Sequence, residues 1–147
     1  MGKRPTQTKK LNKGRILLIE DEENLINIYR DFFESNDYTL TVTKDIKEAM
    51  GLTELEKPDV VLLDVIIPKE ENNIITLVSE QGYNYLAMVK NNPKTKDIPI
   101  VVFTNLDTSQ DRQKSQEMGA AAYIFKRDCT PKEVLDTIEK VIGIDHK

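Results

Sequence analysis

Residues 16–25 read ILLIEDEENL, and the order of residue types in that stretch decides the fold. Arg15–Glu20 is a compact apolar run that ends in acids. It does not alternate between apolar and polar, which is the pattern of a strand covered on both faces. Asp21–Glu23 then place carboxylates where a helix N-terminus exposes unpaired N–H groups. From there to Ser35, Leu25, Ile28, Tyr29, Phe32 and Phe33 recur at helical spacing. Strand, acidic turn and helix make one βα unit.

The same unit recurs downstream. Thr39–Thr43 is a short β-branched strand, and Asp45 is placed to cap a helix carrying Ile46, Met50, Leu52 and Leu55, with Pro58 ending the connection. Asp59–Asp64 is a second non-alternating buried strand. Residues 65–81 read as irregular. Tyr83 to Lys90 is a helix with Tyr85, Leu86 and Val89 inward, stopped by Asn91-Asn92-Pro93. Ile98–Phe103 is a strand, Thr108–Met118 a polar helix with Gly119 as its C-cap, and Ala121–Phe125 a strand. Pro131 opens a last helix with Val134, Leu135, Ile138, Val141 and Ile142 on one face. Strands alternating with helices five times predict an α/β protein with a parallel sheet, right-handed crossovers and helices on both faces.

Composition bounds the rest. The 147 residues suit one domain with tails, 39% hydrophobic and 31% charged, and no apolar run approaches the ~18 residues of a membrane span. One cysteine, Cys129, rules out an internal disulfide and fits a reducing cytoplasm. A single histidine beside it argues against zinc. The net charge of −4 is uneven: residues 1–13 carry Lys3, Arg4, Lys9, Lys10 and Lys13 and no acid, so the remainder carries −9. An acidic body does not look like a nucleic-acid binder. The basic residues 1–13 read as a flexible arm, solubilising in the first instance, with contact to an acidic partner or to nucleic acid as the alternative, and 144–147 as a short tail.

Four strands end in polar residues: Glu20-Asp21, Asp64, Thr104 and Lys126. A parallel sheet puts all of these carboxyl ends on one edge, where open α/β sheets bind ligands. Two carboxylates about 5 Å apart repel by roughly 3 kcal/mol at an effective dielectric of 20. Three acids against one lysine leave room for a divalent cation, and oxygen donors select a hard ion such as Mg²⁺. With its charge screened, Asp64 can attack phosphorus, and Thr104 and Lys126 can hold the phosphoryl oxygens.

At this point the sequence resembles a receiver domain of a two-component response regulator over residues 14–143. The motifs that carry the resemblance are ILLIEDEENL (16–25), VVLLDVIIP (60–68), DIPIVVFTN (97–105) and GAAAYIFK (119–126). The resemblance implies a flavodoxin-like, doubly wound five-stranded sheet of order 2-1-3-4-5. It implies that Asp64 accepts a phosphoryl group from a histidine kinase or a histidine phosphotransfer protein. Asp21, Asp64 and the backbone carbonyl of Ile66 would bind Mg²⁺, with Glu20 acting through water. Thr104 and Lys126 match the switch hydroxyl and lysine, and Tyr123 matches the aromatic switch. Ile66 and Leu106 would flank the approach of hydrolytic water, and their apolar bulk predicts a long-lived phosphoryl state. The surface over 104–127 would change for an unidentified protein target. A homodimer is among the assemblies such domains form.

Three departures stand out. Arg127 replaces the proline that usually follows the lysine, and Asn105 replaces a small residue after the switch hydroxyl. The glycine usually found about eight residues after the acceptor Asp is matched by Gly82, so roughly Lys69–Gln81 is an insert bordering the site. Its Ile74, Ile75, Leu77 and Val78 suit either packing on the third helix or a partner. The main alternative function is a phosphorylation-independent pseudo-receiver that acts as an interaction module. An aspartyl-nucleophile phosphatase usually has a second aspartate two residues after the first, where Ile66 stands. A flavin carrier would be coloured. No enzymatic turnover is expected beyond the protein's own phosphorylation and dephosphorylation.

Overall fold

The computed structural model describes residues 12–72, 74–78, 80–106 and 108–143. Residues 1–11 of the predicted arm and the predicted tail, 144–147, lie outside them. The elements in chain order are β1 (Gly14–Ile19), α1 (Glu23–Ser35), β2 (Tyr38–Thr43), α2 (Ile46–Glu56), β3 (Val60–Leu63), β4 (Ile67–Glu71), β5 (Ile74–Val78), α3 (Glu80–Asn91), β6 (Ile100–Thr104), α4 (Ser109–Glu117), β7 (Ala122–Phe125) and α5 (Pro131–Ile142). A 3₁₀ turn, Lys126–Asp128, follows β7. The main sheet has five parallel strands in the order β2-β1-β3-β6-β7, the doubly wound, flavodoxin-like order expected.

The non-alternating strands are sorted by the pleat, which sends successive side chains to opposite faces. Ile16, Leu18, Val60, Leu62, Val101 and Phe103 face one layer with α1 and α5. Leu17, Ile19, Val61, Leu63, Ile100 and Val102 face the other layer with α2 and α3. Both faces are dry from Ile16 to Ile19 and along β3 and β6, so these positions favour no polar residue until the strands emerge at their carboxyl ends. The winding reverses between β1 and β3, the two strands whose ends carry the acids. No helix among the described residues is long and apolar enough to cross a membrane.

The termini of the elements match local chemistry. Asp45 caps α2 by accepting the Lys47 N–H at 2.9 Å. Thr130 and Glu133 form a reciprocal capping box at α5, with Pro131 in the first turn and Gly143 at φ +86° beyond the last. In α1 the cap is Glu22, whose carboxylate accepts the Leu25 N–H at 2.7 Å.

Three expectations need correction. The buried stripe of α1 is Ile26, Tyr29 and Phe33, while Ile28 is about half exposed, because the helix turns its i, i+3, i+7 line to the sheet. In α2 the buried residues are the small Ala49 and Thr53, and Leu55 points into solvent, since the helix lies close to the sheet. Thr53 satisfies its hydroxyl on the Ala49 carbonyl and on the Tyr85 hydroxyl, both at 2.7 Å.

The third correction concerns residues 65–81, expected to be irregular. They contain an antiparallel hairpin in which β4 and β5 pair from Ile67↔Val78 to Glu71↔Ile74. Asn72 turns it at φ +53°, a left-handed conformation that asparagine tolerates. Helix α3 then begins at Glu80, ahead of the expected Tyr83. The hairpin is a two-stranded sheet of its own, not an extension of the main one.

Gly82 closes this excursion against Val65, just past the end of β3. A Cβ at Gly82 would stand 2.5 Å from Val65 Cα and 2.7 Å from the Val65 carbonyl oxygen. Backbone offers no rotamer to move aside, so Gly82→Ala is expected to destabilise the fold by about 1–3 kcal/mol, the usual cost of overpacking. A lower urea midpoint with an unchanged m-value checks this; an unchanged midpoint would contradict the contact.

Candidate functional site

Glu20, Asp21 and Asp64 meet where β1 and β3 end. Each offers a carboxylate oxygen, and the three lie within 4.8 Å of one another. Glu20 and Asp64 are buried, 1% and 6% exposed, whereas Asp21 is partly open to solvent. Lys126 reaches between the buried pair. Its Nζ stands 2.6 Å from Glu20 Oε1 and 2.8 Å from Asp64 Oδ2. The same ammonium lies 5.3 Å from the centroid of the Phe103 ring, which shields it from water on that side.

The backbone holds the carboxylates in place. Glu20 Oε2 accepts the Glu22 N–H at 3.2 Å, and Asp64 Oδ1 accepts the Ile66 N–H at 2.9 Å. Asp64 Oδ2 receives a hydrogen bond from Lys126, but among the described residues Glu20 Oε1 has no aligned donor and meets Lys126 as an ion pair. Burial pushes the Glu20 carboxyl above its ordinary pKa, and nearby Lys126 opposes that rise without cancelling it. Burial by itself would lower the Lys126 pKa, but Asp64 and Glu20 outweigh it, so the ammonium titrates above its usual range. A largely covered cation thus holds two buried carboxylates, with a third carboxylate at the rim.

The other expected residues take their places around this cluster. Thr104 ends β6 fully buried, and its Oγ1 accepts the Leu106 N–H at 3.2 Å. That bond occupies one acceptor position of its hydroxyl and leaves the O–H free to donate. Tyr123, on β7, donates its hydroxyl proton to the Leu106 carbonyl, and the Arg112 guanidinium lies 5.0 Å from its ring centroid. Ile66 and Leu106 are partly buried and pack on the α2–α3 side of the core. The contact shown between Ile66 and the cluster runs through its N–H. Past Lys126 the chain turns through the 3₁₀ segment, and no peptide bond among the described residues is cis.

Sequence reasoning assigned Lys126 to incoming phosphoryl oxygens; here it is engaged by Glu20 and Asp64 together. That Glu20 contacts Lys126 directly was not foreseen, because the pairing depends on side-chain rotamers at the ends of β1 and β7. Arg112 was also missed: nothing in the spacing of a polar helix marks it as a neighbour of Tyr123.

Comparison with known proteins adds to this geometry. The model of the response regulator receiver domain matches residues 16–139. The probable transcriptional regulator ycf27 of Guillardia theta is 30% identical over 135 residues, covering 92% of this chain and 48% of the relative. This chain therefore spans about half the length of that relative. The non-phosphorylated HemR receiver domain of Leptospira biflexa superposes with a TM-score of 0.73 at 30% identity, over 92% of this chain and 98% of that one. The Mn²⁺-bound form of the response regulator Rcp1 superposes with a TM-score of 0.64 at 28% identity, over 89% and 91% of the two chains.

Proposed function

The chain belongs to the response regulator receiver domain family, and from that premise we propose that it is a phosphorylation-dependent switch whose acceptor is Asp64. The observation that carries the reading is the buried Glu20–Lys126–Asp64 arrangement with Asp21 at its rim. In the transfer, an Asp64 carboxylate oxygen forms a bond to phosphorus. The bond from phosphorus to the donor breaks, and its electrons leave with the donor. The natural donor is a phosphohistidine on a kinase or on a phosphotransfer protein, and the output is a protein target that reads the altered surface. The protein's own phosphorylation and dephosphorylation are the whole of its chemistry in this reading.

The donor set fits a hard divalent cation. It consists of oxygens alone, three of them anionic and close together, with one lysine against them. Glu20, Asp21 and Asp64 would hold Mg²⁺, and the likeness to Rcp1, which has a Mn²⁺-bound form, supports this. When bound, the cation supplies positive charge that reduces repulsion between Asp64 and the phosphoryl oxygens. Lys126, pinned by two anions, is oriented in advance for a group that adds about two negative charges. Thr104 supplies a hydroxyl from the neighbouring strand.

Phosphorylation is read by the surface over 104–127. Helix α4 buries only Ser115, so shifting it sacrifices little apolar contact. Amide exchange is expected to change on treatment with acetyl phosphate and Mg²⁺ in 104–127 more than in 39–56. Equal changes in both stretches would point to a module that does not switch. Absence of any label on the protein would remove the reading altogether.

The phosphoryl state is expected to be long-lived. Ile66 and Leu106 present alkyl groups where a hydrolytic water would need a hydrogen-bond partner, and in-line attack depends on such positioning. Ile66→Asn and Leu106→Glu should each speed decay of the phosphorylated protein about fivefold, the value of one added hydrogen bond. Decay rates unchanged in both variants, with EDTA and Mg²⁺ controls, would reject the apolar gate.

A further inference from the structure

We propose that Tyr83 is a positioning residue that ties the start of α4 to the segment following Asp64. It gives the acceptor site a second route to the switch helix, beside the one through Thr104. This rests on the reading that Asp64 is phosphorylated.

The argument begins with how α4 is held. Its sequence, SQDRQKSQE, contains no apolar side chain, so the burial that fastens most helices has nothing to act on. Asp111, Lys114 and Ser115 are spaced i, i+3, i+4 and share one helix face. All three converge on Tyr83. Its hydroxyl donates to Asp111 Oδ1 at 3.1 Å and accepts from Ser115 Oγ at 3.4 Å, and Lys114 Nζ stands 4.2 Å from the ring centroid. Tyr83 is 3% exposed and its bond to Ser115 is buried, while Asp111 is partly buried and Lys114 lies at the surface. Asp111 also accepts a hydrogen bond from the Thr108 hydroxyl, and Thr108 is the N-cap of α4. The tyrosine therefore grips one face of the helix, from Asp111 beside the Thr108 cap to Ser115 one turn further on.

At its other end Tyr83 is bonded to Gly82, which lies on the Val65 backbone with no room for a methyl group. Val65 is the residue after the acceptor. Displacement of the Asp64–Val65 backbone is passed to Gly82 because there is no slack between them, and Tyr83 carries it to α4. The coupling differs from the route through Thr104 and Tyr123 in both residues and elements, since it runs along α3.

The test uses the full chain carrying 3-fluorotyrosine, with its five tyrosine signals assigned by single Tyr→Phe substitutions. On phosphorylation with acetyl phosphate and Mg²⁺, the residue 83 signal should move together with that of Tyr123. The Tyr38 signal should stay, because Tyr38 begins β2 at the opposite edge of the sheet. In unlabelled protein, Tyr83→Phe removes the hydroxyl and keeps the ring. It should leave the extent of Asp64 labelling unchanged and raise amide exchange across 109–117 about fivefold before phosphorylation. A residue 83 signal that stays fixed while Tyr123 moves overturns the proposal and leaves the phosphoacceptor reading intact. So does wild-type exchange of α4 in Tyr83→Phe. Failure of the wild-type chain to take label overturns both.

Discussion

Asp64→Asn is expected to take up no phosphoryl group from acetyl phosphate with Mg²⁺ present, under conditions that label the wild-type chain. The amide keeps the shape of the carboxylate, so its oxygen can still accept the Ile66 N–H that Asp64 accepts at 2.9 Å. It lacks the anionic oxygen that attacks phosphorus, and no other carboxylate stands at the end of β3. Glu20 and Asp21 are close by, but Glu20 is pinned by Lys126 and by the Glu22 N–H, and Asp21 lies at the rim. Radiolabel incorporation and intact-protein mass measure the outcome, with circular dichroism confirming the fold. Label that persists in the variant would move the acceptor to another residue.

Removing Asp21 is expected to weaken Mg²⁺ binding by at least about tenfold, since even outer partners of a metal site cost 10–100-fold when lost. Asp21 is the one acid of the three that Lys126 does not contact among the described residues, so its charge is the least neutralised before the cation arrives. A strongly hydrated ion gives up water only to a concentrated anionic site. Calorimetric titration of Asp21→Ala against wild type reads the change, and equal affinities would place the cation elsewhere. The same variant should phosphorylate poorly at low Mg²⁺ and recover as Mg²⁺ is raised. Asp64→Asn should show no such rescue.

A parallel sheet covered on both faces was legible because β1, β3 and β6 are written as unbroken apolar runs, whereas the order of its strands came from the family resemblance. The convergence of Glu20, Asp21, Asp64, Thr104 and Lys126 followed from topology alone, since parallel strands share a carboxyl edge. The hairpin at 67–78 was not legible. Its two strands are short, and β4 carries Lys69, Glu70 and Glu71, which mask the strand signal that Ile74, Ile75, Thr76 and Val78 do contain. Ile28 and Leu55 were placed by periodicity alone, which cannot tell the centre of a helical stripe from its flank. Tyr83 was passed over as the mere start of a helix. Its partners lie on α4, more than 25 residues along the chain, and no local pattern joins the two.

The contact of Gly82 with Val65 also bears on how much sequence this domain can carry. Val65 and Gly82 touch, so the segment between them begins and ends at nearly the same point, and Asn72 lies in the turn between β4 and β5. Closing a flexible loop costs only about 0.6 kcal/mol more for each doubling of its length. Because the contact of Gly82 with Val65 fixes where the segment starts and ends, added residues at its far end need not change the separation of those ends. The tip at Asn72 is therefore a grafting point, where an epitope or a small reporter can be inserted while the acidic cluster keeps its spacing.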